Sequence, residues 1–302
     1  MDLKSKIILI YGPTASGKSD FAIKLAKKIN GEIVNADSMQ IYRELKILTA
    51  RPLKKNFKNI KHHLYGFQKS NKVFSSGDWL RVVIKKIGEI KKRKKIPILV
   101  GGTGLYFKSL TDGLVEIPHI PIKLRNKIRL LNKSIGQKKF YKKLLKLDPL
   151  IINQINYTDS QRAIRAYEVK LFTKKSVMEW YKDTKSKYKK RDFLKLYIDH
   201  PRPELFKKIN LRTREMIDLG VVLEVKKFLK LKISKNKSIS KAIGINEIND
   251  FIKNKISKDQ VVEKISIKTR QYAKRQATWA RGHMKSWKKI QPKKLNEFLK
   301  KV

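Results

Sequence analysis

The chain has 302 residues, with 74 Lys and Arg against 25 Asp and Glu, for a formal net charge of +49. A hydrophobic fraction of 41% allows a real core, and zero cysteines exclude disulfides, thiolate metal sites and a cysteine nucleophile. So large a positive field suits a polyanion, nucleic acid first, although the heavy use of Lys, Ile and Asn also fits genome-wide nucleotide bias. No signal-peptide hydrophobic region precedes the first strand and no apolar run approaches a membrane span, so a soluble, cytoplasmic protein is expected.

In chain order, residues 7–11 read as a buried strand that enters Gly12-Pro13-Thr14-Ala15-Ser16-Gly17-Lys18-Ser19. This segment fits the phosphate-loop pattern G-x-x-x-x-G-K-[ST] at every fixed position, and residues 20–29 leave it with helical apolar spacing. Glycines let such a loop wrap an anion so that N–H groups and the helix N-terminus face phosphate oxygens. Lys18 is then placed for the outer phosphate and the Ser19 hydroxyl for Mg²⁺, which predicts binding of a diphosphate or triphosphate, ATP included. A chance turn would not bring both flanks with it.

Strands are expected next at 32–36, 63–67 and 96–100, with a helix over 77–93 before the last of them. Asp37 follows the second strand and sits at the carboxyl edge of the sheet, where ligands of such sheets bind. On spacing alone it serves catalysis or a helix cap about equally well, because Asp37-Ser38 precedes Met39-Gln40-Ile41-Tyr42. The strand at 96–100 ends in Gly101-Gly102-Thr103, not in the aspartate that an ATPase or GTPase uses to position Mg²⁺ and water. His62 and His63, as neighbours on a strand, point to opposite faces and make a poor metal pair.

The βαβ grammar breaks near Pro118 to Pro121. Residues 122–190 carry only helical patterns dense in Lys and Arg; a strand follows at 193–198, then helices to the end. The fold class predicted is α/β, a P-loop NTPase-like parallel sheet flanked by helices, with a mainly helical insertion domain. The core is expected to comprise 1–118 and 192–302, and the insertion 119–191.

Several segments together resemble the tRNA dimethylallyltransferases (the isopentenyl-tRNA or IPP transferase family). They are the phosphate loop, Asn35 to Arg43, the pair His62-His63, Gly101 to Tyr106, and Thr269 to Trp279, in family order. The chain departs from the family pattern at Leu48 and Arg51, where Gly and Lys are usual, at Ile245, and at Lys208. The resemblance implies transfer of a dimethylallyl group from dimethylallyl diphosphate to N6 of the adenosine 3′ of the anticodon in tRNAs that read codons beginning with U. It implies Asp37 as general base, and Thr103, Lys18 and Arg212 as further catalytic groups. Residues 12–19 would hold the diphosphate, with Mg²⁺ on Ser19. Asp37, Ser38, Met39, Gln40, Thr103, Arg125, Asp159, Ser160, Gln161, Arg162 and Ala163 would meet tRNA, with the target base turned out of its loop.

Arg270, Lys274, Arg275 and Arg281, with Tyr272, Trp279 and Trp287, are further options for RNA, although such aromatics are more often core. A monomer is expected. Competing readings are a small-molecule kinase, a non-catalytic RNA-binding protein, and an enzyme that prenylates free adenine nucleotides.

Overall fold

A computed structural model describes residues 3–302 of the protein. Six strands, β1 (Ile7–Tyr11), β2 (Gly31–Asn35), β3 (His62–His63), β4 (Ile96–Gly101), β5 (Phe193–Ile198) and β6 (Lys288–Ile290), form one sheet in the order β3-β2-β4-β1-β5-β6. Every pairing in it is parallel. The helices are α1 (Lys18–Ile29), α2 (Ser76–Lys92), α3 (Gly104–Asp112), α4 (Ile122–Leu147), α5 (Ser160–Thr173) and α6 (Val177–Lys182). They continue with α7 (Arg202–Asp218), α8 (Val221–Lys230), α9 (Ile245–Ile252), α10 (Lys258–His283) and α11 (Leu295–Lys300).

Two compact units result. One joins the chain up to Thr111 with Tyr188–Val302; the other is Asp112–Lys187. In the first, β1, β2 and β4 are buried along their whole length; β1 and β4 are the apolar runs that a parallel sheet favours, while β2 also buries Glu32 and Asn35. The period-2 geometry of a strand divides β1 between two cores. Ile7, Leu9 and Tyr11 pack with Trp79, Val83 and Ile87 of α2, while Ile8 and Ile10 pack with Phe21, Ala22 and Leu25 of α1. A third cluster gathers Ile41, Leu45 and Leu48 against Met216, Val225, Ile248 and Ile265 of the C-terminal helices.

The second unit is helical, cored by Ile128, Phe140, Leu144, Ala163 and Val169. Buried Glu168 is ringed there by Arg125, Arg129 and Arg165 at 3.4, 3.9 and 3.6 Å. Among the described residues no helix is long and apolar enough to cross a membrane.

Two elements differ from expectation. The third strand stops at His63 because Leu64 and Gly66 take positive φ (62° and 56°) and turn the chain out of the sheet. Strand β6 was not expected: it is a three-residue edge strand with two exposed lysines, and only Ile290 reports its burial.

Candidate active site

The phosphate loop runs from the end of β1 to the start of α1, with Ala15 and Gly17 in the left-handed region (φ 62° and 79°). Lys18 Nζ donates to the Pro13 carbonyl at 3.1 Å, which keeps the ammonium folded over its own loop. Burial lowers its pKa to about 8, Arg212 pushes the same way, and the Asp37 charge opposes both. Not every loop amide is free for an anion. Thr14 N–H donates to Gln276 Oε1 (2.8 Å) and Ser16 N–H to the Pro13 carbonyl (3.2 Å). Among the described residues, the amides of Ala15, Gly17, Lys18 and Ser19 meet no protein acceptor.

Arg212 reaches the loop from α7, its Nη2 donating to Thr14 Oγ1 at 2.6 Å, and burial lowers its pKa. Gln276 on α10 staples three segments. Besides receiving Thr14 N–H, it donates from Nε2 to the Gly102 carbonyl (2.9 Å), and its own carbonyl accepts the Tyr11 hydroxyl (2.8 Å). Nothing in the local sequence pattern singles out Gln276 for this role. The trace it leaves is a polar side chain on the helix face that also carries Thr269, Ala273 and Ala280, all buried.

Asp37 lies half-buried just past β2. Its N–H donates to Asn35 Oδ1 (2.9 Å), and Asn35 Nδ2 returns to the Asp37 carbonyl (3.0 Å). Oδ1 accepts the Met39 N–H at 2.9 Å, while Oδ2 receives no hydrogen bond among the described residues. Residues 38–41 form a turn and not a helix, so the carboxylate closes an Asx-turn and caps nothing. Thr103, ahead of α3, spends its hydroxyl on Ser38, accepting Ser38 N–H (2.9 Å) and donating to Ser38 Oγ (3.2 Å). It therefore fixes the segment that carries Asp37. Gln40 donates from Nε2 to the carbonyls of Thr49 and Ala50 (3.0 and 3.1 Å).

A cavity of 480 Å³ brings Lys18, Ser19, Asp37, Gln40 and Arg212 together. Its remaining wall includes Leu48, Met216, Ile243 and Ile265, with Tyr272, Arg275 and Lys241 completing it. Burial and the Asp37 charge push the Tyr272 phenol up. Lys241 was not anticipated, because it sits in a short polar segment without periodicity. Ser19 is half-buried at the cavity, and its hydroxyl has no hydrogen-bond partner among the described residues, which leaves it open to solvent or to a metal. A wider groove of 790 Å³ in the helical unit, among Leu124, Ile128 and Tyr167, holds no carboxylate, so the chemistry belongs to the smaller cavity.

The glycines after β4 allow this convergence. A Cβ on Gly101 would fall 2.0 Å from the Ala36 carbonyl oxygen, and one on Gly104 would fall 2.0 Å from the Trp279 indole nitrogen. We expect Gly104→Ala to destabilise the protein by about 1–3 kcal/mol through overpacking against a rigid ring. Gly282→Ala, inside α10 where a Cβ meets nothing within 4 Å, serves as the control in thermal unfolding and is expected to gain up to about 1 kcal/mol from helix propensity.

Residues with other expected roles are placed as follows. In the helical unit Arg125 pairs with Glu168, Asp159 caps α5 by accepting Arg162 N–H (3.0 Å), and Arg162 is exposed beside it. Ser160 is half-buried and Gln161 exposed, whereas Ala163 is fully buried and its side chain serves that unit's core. Trp287 is core, Trp279 stacks on His283 (4.0 Å), and Arg270 lies over Phe206, while Lys274 and Arg281 are exposed. His63 bonds Glu32 at 2.6 Å, His62 stacks on Phe57, and Lys208 donates to His200 Nε2 at 3.1 Å.

Comparisons with known proteins agree on one family. A family model described as IPP transferase matches residues 40–283. The tRNA dimethylallyltransferase of Pelagibacter ubique is 62% identical over 302 residues, covering 100% of this chain and 96% of that protein. Its counterpart in Agrobacterium fabrum is 39% identical, covering 97% and 99%. Among solved structures, the tRNA delta(2)-isopentenylpyrophosphate transferase of Staphylococcus epidermidis superposes with a TM-score of 0.68 at 31% identity, covering 98% of this chain and 96% of its own. A eukaryotic dimethylallyltransferase acting on tRNA gives 0.84 at 28% identity, covering 95% and 74%.

Proposed function

The chain belongs to the IPP transferase family, and we propose that it moves a dimethylallyl group from dimethylallyl diphosphate to N6 of the adenosine 3′ of the anticodon in tRNAs that read codons beginning with U. The observation that carries this reading is the shared cavity, where a phosphate loop after β1 and an aspartate after β2, with β4 between the two strands, face one space with apolar walls.

The chemistry follows from charge. As the allylic C1–O bond breaks, its electron pair goes to the diphosphate, and positive charge spreads over the allyl carbons. Lys18, Arg212 and the free loop amides are set before the reaction to receive that negative charge, and such preorganised stabilisation is commonly the largest catalytic contribution. Ser19 would hold Mg²⁺, which when bound supplies further countercharge to the diphosphate. Adenine N6 is a weak nucleophile until its proton leaves. The unoccupied Oδ2 of Asp37 accepts that proton as the N6–C1 bond forms. The strand β4 ends in Gly101, where the Ala36 carbonyl leaves no room for a side chain, so no carboxylate stands at that strand end to aim water at phosphorus.

For the acceptor, Ser38 to Gln40 and the exposed Arg275 and Lys241 offer groups at the cavity. Asp159 to Arg162 and Arg125 of the helical unit are assigned to tRNA as well, with lysines holding phosphates. The protein is assigned to the cytoplasm as a monomer. The test incubates it with labelled dimethylallyl diphosphate, Mg²⁺ and unmodified tRNA, then digests the tRNA to nucleosides. Label is expected in N6-prenyladenosine; label appearing only in free AMP, or phosphate transferred from ATP, would replace this reading with one of its rivals.

A further inference from the structure

The apolar wall of the cavity is held unusually firmly at one point. Leu48 is 7% exposed, yet it lines the cavity beside Met216, Ile243 and Ile265. It lies over bare Gly244: a Cβ there would come within 2.5 Å of Leu48 Cδ1 and 3.2 Å of Ile265 Cδ1. Gly244 itself holds φ 105°, a conformation that L side chains rarely adopt. The two side chains therefore close together over a backbone that leaves no room behind them.

The segment bearing Leu48 is also clamped. The Glu224 carboxylate, from α8, accepts three consecutive backbone N–H groups. Lys46 donates at 2.7 Å, Ile47 at 2.8 and 3.0 Å, and Leu48 at 2.9 Å. The Thr49 hydroxyl donates to the Leu45 carbonyl at 2.6 Å, and Gln40 secures the carbonyls of Thr49 and Ala50. Charge-assisted bonds of this kind are about twice as strong as neutral ones. A wall so fixed cannot swing aside for a bulkier ligand.

The geometry points to Leu48 as the residue that limits the length of the allylic chain this site accepts. The inference rests on the proposed function, in that the ligand is an allylic diphosphate. Donors of different length share the same diphosphate, so Lys18 and Arg212 cannot tell them apart. Discrimination falls on the hydrocarbon end, where Leu48 fills space that the glycine usual at this position in the family would leave, and so closes this chain's pocket to the second unit of geranyl diphosphate. Glu224 acts through Leu48 as a positioning residue.

The experiment measures kcat/KM for dimethylallyl and geranyl diphosphates on unmodified tRNA, using wild type, Leu48→Ala and Leu48→Phe, with pyrophosphate inhibition alongside. Leu48→Ala is expected to raise the geranyl-to-dimethylallyl ratio about tenfold or more, in keeping with what a few carbons are worth in an apolar pocket. Leu48→Phe, which keeps the wall filled and carries the test if the truncation unfolds, is expected to raise the KM for dimethylallyl diphosphate while pyrophosphate inhibition stays at the wild-type level. A ratio unchanged in the alanine variant would overturn the inference. So would a phenylalanine variant that loses pyrophosphate and dimethylallyl diphosphate in equal measure. A wild-type protein that prenylates no tRNA would instead overturn the proposed function, and this inference with it.

Discussion

Asp37→Asn is expected to lower the rate of prenyl transfer at saturating substrates by about 10²–10⁴, the usual contribution of a positioned general base. The amide keeps the shape of the carboxylate and, with its oxygen turned to Met39 N–H, keeps the Asx-turn at Oδ1. It cannot accept the N6 proton. Because the residue is held by Asn35 and by the Ser38–Thr103 bonds, the surrounding backbone has little reason to move. Pyrophosphate should therefore bind the variant within about twofold of wild type, so that the loss falls on kcat and not on KM. Single-turnover transfer together with pyrophosphate competition reads both quantities. A variant that transfers normally would remove Asp37 from the chemistry, and one that also lost pyrophosphate would make it a structural residue.

The second large effect is expected at Lys18. Its replacement by alanine should cut kcat/KM for dimethylallyl diphosphate by about 10²–10³, the range seen when one preorganised charge donor is removed from a transition state. The pH dependence gives a finer test. Burial holds the ammonium of the free protein at about 8, below its ordinary 10.5. The charged form that binds diphosphate is therefore complete below pH 8 and declines above it. Once corrected for the ligand's own ionisations, pyrophosphate affinity should be level below that point and then fall by up to about tenfold per pH unit, with binding drawing a proton from solution. In Lys18→Ala that alkaline slope should vanish.

Stability runs in the opposite sense. Between pH 8 and 10.5 the unfolded chain carries the proton that the folded one has released, so this residue's destabilising effect is complete below 8 and disappears as pH rises through that window. Calorimetry of pyrophosphate binding in buffers of different ionisation enthalpy measures the proton directly.

The parts of the fold that were legible in sequence are those with unbroken patterns. Strands at 7–11 and 193–198 stand out because buried parallel strands are apolar at every position or nearly so, and the structure keeps both bounds. The helix expected over 77–93 announces itself by Trp79, Val83, Ile87 and Ile90 at helical spacing, and the structure places it at Ser76–Lys92 behind a Ser75–Asp78 capping box. Strand β6 was hidden because pairing with β5 supplies what its own three residues lack.

At the site, the phosphate loop is local in sequence and so was readable, whereas its supports are not. Gln276 acts across 262 positions on Thr14; Arg212, 198 positions away, is singled out only by the family resemblance and not by its own helix pattern. Glu224 holds a loop 176 to 178 positions away. Such partners are chosen by the tertiary fold and leave only a weak trace, such as a polar residue on a buried helix face. The two possible roles of Asp37 were separable only by geometry, because the turn that follows it lacks any sequence feature that forbids a helix.

The most direct test of prenyl transfer itself uses dimethylallyl diphosphate carrying ¹⁸O in the bridge between carbon and phosphorus. With unmodified tRNA and Mg²⁺, each N6-prenyladenosine formed should be matched by one intact diphosphate that retains the label, since the carbon–oxygen bond is the one that breaks. Orthophosphate release, or label remaining with a dimethylallyl alcohol while the tRNA stays unmodified, would mean attack at phosphorus and would contradict the account.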